Sequence, residues 1–466
     1  MDAEKKFLSS AQALVEDYKK RCDVIEIRFE SSYRTYIQFQ GKKLNALTEK
    51  KEVGANVRVY FRGGWGFVSF NDLGRLEEFV DDAYRQAVII ASHRKDSYVP
   101  IPSLEPACYE LADGILHDPR SISLREKCAQ LENYNNRALA FHNSITSSRS
   151  TYFDHTAVRV LITSDGVFAR VVQADIGGAV IPIGTSGSVT QQYAAGFGGS
   201  NDYRQFLNLE KQIDDTCQTV VDLLNAPKMR AGTYPVICDP VMGGVFVHEA
   251  FGHLSESDSL IENKKLQEIM QFGRTFGSEK LNVYDSGLVK GARGYLPVDD
   301  EGVQATKQYL IKKGKLCGRL HTRETAARLG EKPTGNARAM SYQFPPICRM
   351  RDTVIQSGND TFDDVIKDID YGLYAVGSKG GQTNGEMFTF TASKGYMIRN
   401  GQIAELVRDV TLTGNVFTTL ANIDAVCDDQ QIHDTGGGCG KGEQFPLPVS
   451  HESPHIRIKN ATVGGE

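Results

Sequence analysis

The hydrophobic pattern of the first 90 residues changes from a helical period to a strand period. Apolar residues recur every three or four positions from Phe7 to Tyr18, which predicts an opening amphipathic helix. Apolar and polar residues then alternate in short runs at residues 25–29, 36–39, 57–61 and 67–70. Such alternation predicts strands, and a second helical pattern follows over residues 73–90. A helix, an antiparallel meander and another helix indicate an α+β layer rather than a βαβ repeat.

The rest of the chain divides at a proline after another helical pattern. Residues 96–120 carry several prolines and no periodicity, so we expect an irregular connection there. Helical patterns over 123–140 and from Leu209 to Leu224 flank strand-rich sequence, and Pro227 follows the second of them. We predict an N-terminal α+β domain over residues 1–226, with a further subdivision near residues 96–120 left open. A β-rich C-terminal domain over residues 227–466 follows.

Composition and charge exclude several classes of protein. An apolar fraction of 40% with 24% charged residues is that of a globular protein. The net charge of −5 gives no basic footprint for nucleic acid or anionic lipid. The N-terminus carries acids unlike a signal peptide, and no apolar run reaches the roughly 18 residues of a membrane span. Nine cysteines without C-x-x-C pairs favour reduced thiols. We therefore expect a cytoplasmic protein.

A helix motif near the middle of the chain carries two histidines and a glutamate. Asp239 is a suitable N-cap, and the helix that follows contains His248-Glu-Ala-Phe-Gly-His253. The zinc-protease pattern is H-E-x-x-H, with histidines four residues apart on one helical face. Here they are five apart, which rotates them by about 140° on a regular helix. One metal ion can bind both only if the helix contains a π-type turn, and Gly252 would permit that irregularity.

Other interpretations of this motif remain open at the level of the sequence. Two buried histidines and a glutamate could instead bond to backbone or to each other in the core. A catalytic zinc site also needs a third protein ligand. Glu256 and Asp258 are the nearby candidates, although acids just after a helix are more often surface residues.

A glycine-rich loop near the C-terminus presents a second candidate ligand. Cys439 lies within the sequence Asp-Thr-Gly-Gly-Gly-Cys-Gly-Lys-Gly-Glu-Gln, over residues 434–444. Glycines on both sides let backbone approach closely, and Lys441 would favour the thiolate that binds metals. The loop fits neither phosphate-binding pattern, G-x-x-x-x-G-K-[ST] nor G-x-G-x-x-G. An incidental cysteine in a plain turn is the alternative.

Together, these motifs resemble the TldD/PmbA family, specifically its TldD-type branch of metal-bearing proteins. The helix motif and the Cys-Gly-Lys loop carry the resemblance, and it extends over nearly the whole chain. Further similar motifs are Gly63-Gly-Trp-Gly-Phe67, Val298-Asp-Asp-Glu-Gly302, Pro333-Thr-Gly-Asn-Ala-Arg338, Gly395-Tyr-Met-Ile-Arg-Asn-Gly401 and Ala461-Thr-Val-Gly-Gly465.

The resemblance implies an α+β fold and peptidase activity on short or unfolded peptides. It implies a zinc ion (Zn²⁺) bound by His248, His253 and Cys439, with Glu249 as the general base. It also implies a dimer, either of identical chains or with a metal-free sister member of the family.

The mechanism and two alternative functions remain to be tested. Hydrolysis by a zinc-activated water requires a group that stabilises the oxyanion. The candidates, without ranking, are His321, His433, Arg338 and Tyr342.

The main alternative function is a non-catalytic peptide-binding or assembly partner of a related peptidase subunit. The other alternative is a metal hydrolase acting on a non-peptide amide.

Overall fold

The computed structural model describes most of the chain. It shows two halves that differ in architecture. The described residues are 2–94, 98–111, 114–261, 263–434 and 436–464. Thr435 of the cysteine loop and Gly465 of the last family motif lie outside them. Among the helices of the described ranges, none is long and apolar enough to cross a membrane.

The first half of the chain forms a single twisted sheet with helices packed on it. In chain order its elements are α1 (Asp2–Tyr18), β1 (Val24–Gln40), β2 (Lys43–Phe61), β3 (Gly64–Phe70), α2 (Leu76–His93), β4 (Ala107–Leu111), α3 (Leu124–Ala140), β5 (Ile145–Thr163), β6 (Val167–Ser186), β7 (Val189–Gln192), β8 (Ala195–Ser200) and α4 (Glu210–Asn225). The strand order is β3-β2-β1-β5-β6-β4, with β7 and β8 also paired to β6. The predicted helices and the mainly antiparallel sheet are confirmed.

Two details of this half differ from the sequence prediction. The runs at 25–29 and 36–39 belong to one continuous strand, β1, because it pairs with β2 and β5 along its whole length. The segment 96–120, predicted to be irregular, contains β4, which joins β6 in parallel. The α+β class is unaffected by either change.

The first part of the long strand β1, over residues 24–30, is buried on both faces. Ile27 and Phe29 pack into the core beneath α1 and α2. Glu26, Arg28 and Glu30 point to the opposite face and are also buried. The period-two alternation therefore separates two interiors rather than a core from solvent, because the second half of the chain covers the polar face.

The second half of the chain is richer in strands. Its elements are β9 (Gly232–Cys238), α5 (Pro240–Val247), α6 (Asp258–Ile261), α7 (Lys264–Ile269), β10 (Val283–Ser286), β11 (Lys307–Lys312), β12 (Lys315–Leu316), α8 (Arg323–Leu329), β13 (Ala337–Arg338), β14 (Ile347–Cys348), β15 (Asp352–Ile355), α9 (Phe362–Lys367), β16 (Tyr371–Asn384), β17 (Met387–Arg399), β18 (Gln402–Val407), β19 (Thr411–Asn415), α10 (Val416–Ala421), β20 (Ile423–Val426), β21 (Gln431–His433), β22 (Cys439–Lys441), β23 (Gln444–Leu447), β24 (Ser450–Ser453) and β25 (Ile456–Gly464).

Two sheets of this half enclose the helix α5. One has the order β16-β9-β25-β19-β17-β18, and a further pairing of β16 with β17 closes it into a ring. The other has the order β12-β11-β10-β15-β24-β21. The helix contacts β16 of the ring and β24 of the second sheet, and Phe246 packs edge-on against Phe388 and Phe390 of β17. Apolar burial on both sides fixes the position of α5.

Buried ion pairs join the two halves. Arg58 of β2 contacts Glu26 of β1 and Glu301 of the second half, both at 3.0 Å. Arg323, at the start of α8, reaches back to Asp165 at 2.6 Å. The four residues that form these contacts with the arginines, or supply them, are all buried: Arg58, Glu26, Glu301 and Arg323. The predicted boundary at residue 226 lies in the connection between α4 and β9.

Candidate metal centre

The helix α5 starts from a well-defined cap. Asp239 accepts a hydrogen bond from Met242 N at 2.8 Å, and Pro240 occupies the first helical turn. The other carboxylate oxygen of Asp239 accepts from Gly377 N of β16 at 3.0 Å. One side chain thus closes the start of the helix and fixes it to the ring of strands.

A π-turn immediately follows α5. Residues His248–Gly252 form it, and the N–H of His253 donates to the carbonyl of His248, five residues earlier. This is the irregularity that the five-residue spacing requires, and the prediction of a π-type turn is confirmed. The two imidazole rings lie with their centroids 5.3 Å apart. The widened turn therefore returns both histidines to one side of the helix.

The loop that carries Cys439 presses against the sheet of the first half. Gly436 has a φ of +63°, and a Cβ there would lie 2.5 Å from Gly178 N of β6. A Cβ on Gly438 would lie 2.5 Å from the side chain of Pro446. Both positions require glycine because neither has room for a side chain. Cys439 itself is buried at the start of β22.

The loop brings the thiol to the two histidines. Cys439 Sγ lies 3.3 Å from His253 Nε2, and one ligand atom each from His248, His253 and Cys439 lie within 4.8 Å of one another. Nitrogen and sulfur ligands of a tetrahedral zinc ion are about 3.6 Å apart. His248 Nδ1 is buried without a hydrogen-bond partner among the residues that the structure describes. The geometry and the donor types both fit a zinc ion.

Charges at the trio favour the ligating form of the cysteine. Burial opposes ionisation, but hydrogen bonds from His248 and His253 outweigh it and lower the pKa of Cys439 to about 5. Burial also opposes protonation of His253, yet its bonds to Cys439 and Glu256 raise its pKa to about 10. From the sequence, we attributed the stabilisation of the Cys439 thiolate to Lys441. That attribution is wrong, since Lys441 pairs with Glu256 and Asp258 and the histidines act on the thiol.

Glu249 and the two nearby acids take different positions. Glu249 Oε2 lies 3.9 Å from His253 Nε2, and its side chain is 29% exposed, so it stands beside the trio and is open to solvent. Glu256 and Asp258, the nearby third-ligand candidates, do not belong to the trio. The expectation that they lie on the surface is wrong for Glu256, whose side chain is 1% exposed and 3.2 Å from His253 Nδ1.

A large cleft opens onto the trio. Its volume is about 1020 Å³, and residues from both halves line it. Tyr193 and Lys211 contribute from the first half, and Glu249, Lys394 and His451 contribute from the second. The site is therefore accessible to a ligand much larger than water.

Of the oxyanion candidates, only His433 lines this cleft. His321 is buried and hydrogen-bonded to Glu331 at 3.0 Å. Arg338 donates to the carbonyls of Met350 and Pro448, and Tyr342 accepts from Asn71 of the first half. These three side chains are occupied in structural bonds elsewhere.

Sequence reasoning missed His451, which also lines the cleft. It lies on β24 opposite His433 of β21, and its ring centroid is 6.2 Å from that of His248. Burial and the neighbouring His248 lower the pKa of His451 to about 3, so its ring is neutral. The short alternating pattern around residue 451 contains no signal that distinguishes it from an ordinary strand residue.

Comparison with protein families matches three models to this chain in order. They are the PmbA/TldA metallopeptidase domain 1 over residues 25–87, the central domain over 117–225 and the C-terminal domain over 231–465. The chain is also 41% identical to a metalloprotease of Synechocystis sp., in an alignment covering 97% of each protein. A zinc metalloprotease TldD homolog of Saccharolobus solfataricus is 28% identical, with 88% of this chain and 90% of that relative aligned.

Solved structures share the fold. A putative modulator of a DNA gyrase from Thermotoga maritima superposes with a TM-score of 0.78 at 18% identity, covering 99% of this chain and 100% of that one. TldE from Thermococcus kodakarensis gives 0.76 at 19% identity, covering 98% and 100%. At these identities the likeness establishes the architecture of both halves.

Proposed function

Because the chain belongs to the PmbA/TldD metallopeptidase family, we propose that it is a zinc-dependent peptidase that hydrolyses short or unfolded peptides. The observation that carries the proposal is the convergence of His248, His253 and Cys439 beside Glu249. His248, Glu249 and Cys439 also line the cleft. The names of the relatives support metalloprotease activity in general, and one of them names zinc.

The residues around the trio have distinct roles in this proposal. His248, His253 and Cys439 hold the zinc ion, which when bound supplies Lewis acidity toward the scissile carbonyl and a water. Glu249 takes the proton of the attacking water and returns it to the nitrogen of the leaving amine. Its partly exposed carboxylate suits a group that exchanges protons with substrate. His433 and His451 line the same cleft and are candidates for binding the oxyanion.

An open strand edge supports an extended peptide as the substrate. The pairing of β16 with β9 ends at Ala375, whereas β16 stays paired with β17 to residue 384. Ser378, Gly380 and Gly381 of this stretch line the cleft. Within the described residues, no strand pairs with the other edge of this stretch. A peptide can add to such an edge through its backbone, which requires that it be short or unfolded.

We further propose that the protein works in the cytoplasm as a dimer. The partner is a second copy of this chain or a sister member of the family. The mass of the purified protein in solution, alone and mixed with a sister chain from the same organism, distinguishes the two.

The decisive experiment is the substitution Glu249→Ala in the full-length chain. Because Glu249 is outside the trio, we expect the zinc content to persist while cleavage of an unstructured peptide falls by about 10²-fold or more. Zinc is measured by elemental analysis and cleavage by mass spectrometry. Glu268→Gln, on the exposed side of α7, is the matched control and should leave both unchanged.

Other outcomes discriminate among the functions. Unchanged peptide cleavage by Glu249→Ala would contradict the mechanism. If the wild-type protein binds peptide, does not bind zinc and does not cleave the peptide, it is the non-catalytic partner. A zinc-bound protein that cleaves small amides but no peptide is the non-peptide hydrolase.

A further inference from the structure

A cationic side chain connects the two separate segments that form the metal centre. We propose that Lys441 is a positioning residue, which docks the loop of Cys439 onto the segment of His253 through Glu256 and thereby sets the affinity for the metal. This inference rests on the proposed function, since it concerns the same three ligands. It adds residues that do not touch substrate or metal.

The first link is between His253 and Glu256. Glu256 Oε2 lies 3.2 Å from His253 Nδ1, while His253 Nε2 faces Cys439. A carboxylate that accepts from Nδ1–H leaves the lone pair of Nε2 free to bind a metal and fixes the orientation of the ring. Glu256 is 1% exposed, so its position is fixed by neighbours rather than by solvent.

The second link is between Glu256 and Lys441, two residues after Cys439. Lys441 Nζ lies 2.9 Å from Glu256 Oε2 and 2.5 Å from Asp258 Oδ1. It also donates to the carbonyl of Cys348 at 3.0 Å. The three donors of one ammonium group are thus matched by three acceptors. They lie on the segment after the π-turn and on β14, and the ammonium comes from β22.

Removal of the ammonium would affect both segments. Glu256 and Asp258 would then face each other across the vacated position, and the cationic groups that stay near Glu256 include His253 and Arg349, whose Nε lies 3.9 Å from Oε1. Two carboxylates without the shared lysine repel each other and disturb the orientation of His253. At the same time, the loop of Cys439 loses its bonds to Glu256, Asp258 and Cys348.

The test compares Lys441→Met with wild-type protein, both full length. We expect the variant to bind zinc 10- to 100-fold more weakly, as is typical when an outer partner of a ligand is lost. Competition with a chromophoric chelator measures the affinity. In metal-free protein, we expect iodoacetamide to alkylate Cys439 faster in the variant, as followed by mass spectrometry of the Cys439 peptide.

Two further variants control for general damage to the fold. Lys441→Arg keeps a cation in place and should recover part of the affinity. Lys280→Met removes a lysine that also pairs with a carboxylate, Asp360 at 2.8 Å, but lies outside the cleft, and should leave affinity and alkylation unchanged. If Lys441→Met does not fold by circular dichroism, Glu256→Gln takes its place, with the same loss of zinc affinity expected.

The outcomes separate this inference from the proposed function. Wild-type zinc affinity and wild-type alkylation in Lys441→Met, or wild-type affinity in a Glu256→Gln protein used in its place, would overturn the inference and leave the zinc peptidase intact. A wild-type protein without zinc affinity would overturn the proposed metal centre itself, and the inference with it.

Discussion

At the scale of single residues, Gly252 shows that a correct prediction can have a different cause. The sequence suggested that this glycine eases the irregular winding of the π-turn. Its φ and ψ of −57° and −51° are ordinary helical values, so the backbone does not require glycine. The reason is packing, because a Cβ at this position would lie 2.0 Å from Met350 Sδ. The local sequence pattern cannot predict contact with a buried methionine from a segment about 100 residues away.

Gly252→Ala therefore tests the packing against Met350. The added methyl group has to displace a fully buried side chain, and we expect the free energy of unfolding to fall by about 1–3 kcal/mol. Chemical denaturation of the metal-free protein measures the change. Adding Met350→Ala should relieve the clash, and Gly464→Ala, at a position with ordinary contacts, serves as the control. Equal stability of Gly252→Ala and wild type would contradict the packing argument.

At the scale of elements, periodicity predicted the type of most helices and strands of the first half but not their extent. The polar middle of β1 reads as a break between two strands because its buried side chains meet partners far along the chain. β4 was missed because it is short and flanked by prolines, and its alternation is only half-buried. The π-turn was predictable, since the spacing of His248 and His253 fits no regular helix if both are ligands.

The segment between β21 and β24 contains an acid whose titration affects stability. Asp434 follows β21, accepts from Arg293 N at 3.3 Å and accepts from Ser450 of β24. Burial raises the pKa of Asp434 from 3.8 to about 6, although the bonds from Ser450 and Arg293 oppose this change. The folded state therefore holds this proton more tightly than the unfolded state. Its contribution to stability is complete below about pH 4 and is lost as pH rises through about 6.

Asp434→Asn removes this titration. We expect the melting temperature of the variant, relative to wild type, to improve as the pH rises from about 4 to about 7. Thermal unfolding of both proteins over a pH series measures the difference. Asp363→Asn, at an exposed position of α9, is the control. A difference in melting temperature that is the same at every pH would rule out the titration of Asp434 as its source.

At the scale of the whole molecule, the metal centre depends on residues that are distant in sequence. His253 and Cys439 are 186 positions apart, and nothing in the composition or spacing of either segment specifies the other. The family resemblance, rather than local chemistry, named Cys439 as the third ligand. The structure brings the three potential ligands together.

The contact between the two halves depends on Arg58. Its guanidinium pairs with Glu26 and Glu301 and lies 4.0 Å from the ring centroid of Trp65. Arg58→Met leaves two buried carboxylates without this partner, and we expect a loss of about 3–5 kcal/mol in the free energy of unfolding. Denaturant titration followed by Trp65 fluorescence measures it. Arg75→Met, which breaks a surface pair with Glu78, should cause no measurable change, and an equally small effect of Arg58→Met would contradict the role of the buried pair.

The separation of His253 and Cys439 along the chain has a consequence for the timing of synthesis. The loop of Cys439 precedes β25, the strand that lies between β9 and β19 in the ring. A ribosome that has delivered His253 must add 186 more residues before the cysteine exists, which takes roughly 10–40 s at usual rates of translation. During that interval the nascent chain carries the two histidines and Glu249 but lacks the thiol. A metal centre with all three proposed ligands therefore forms only after Cys439 has been synthesised.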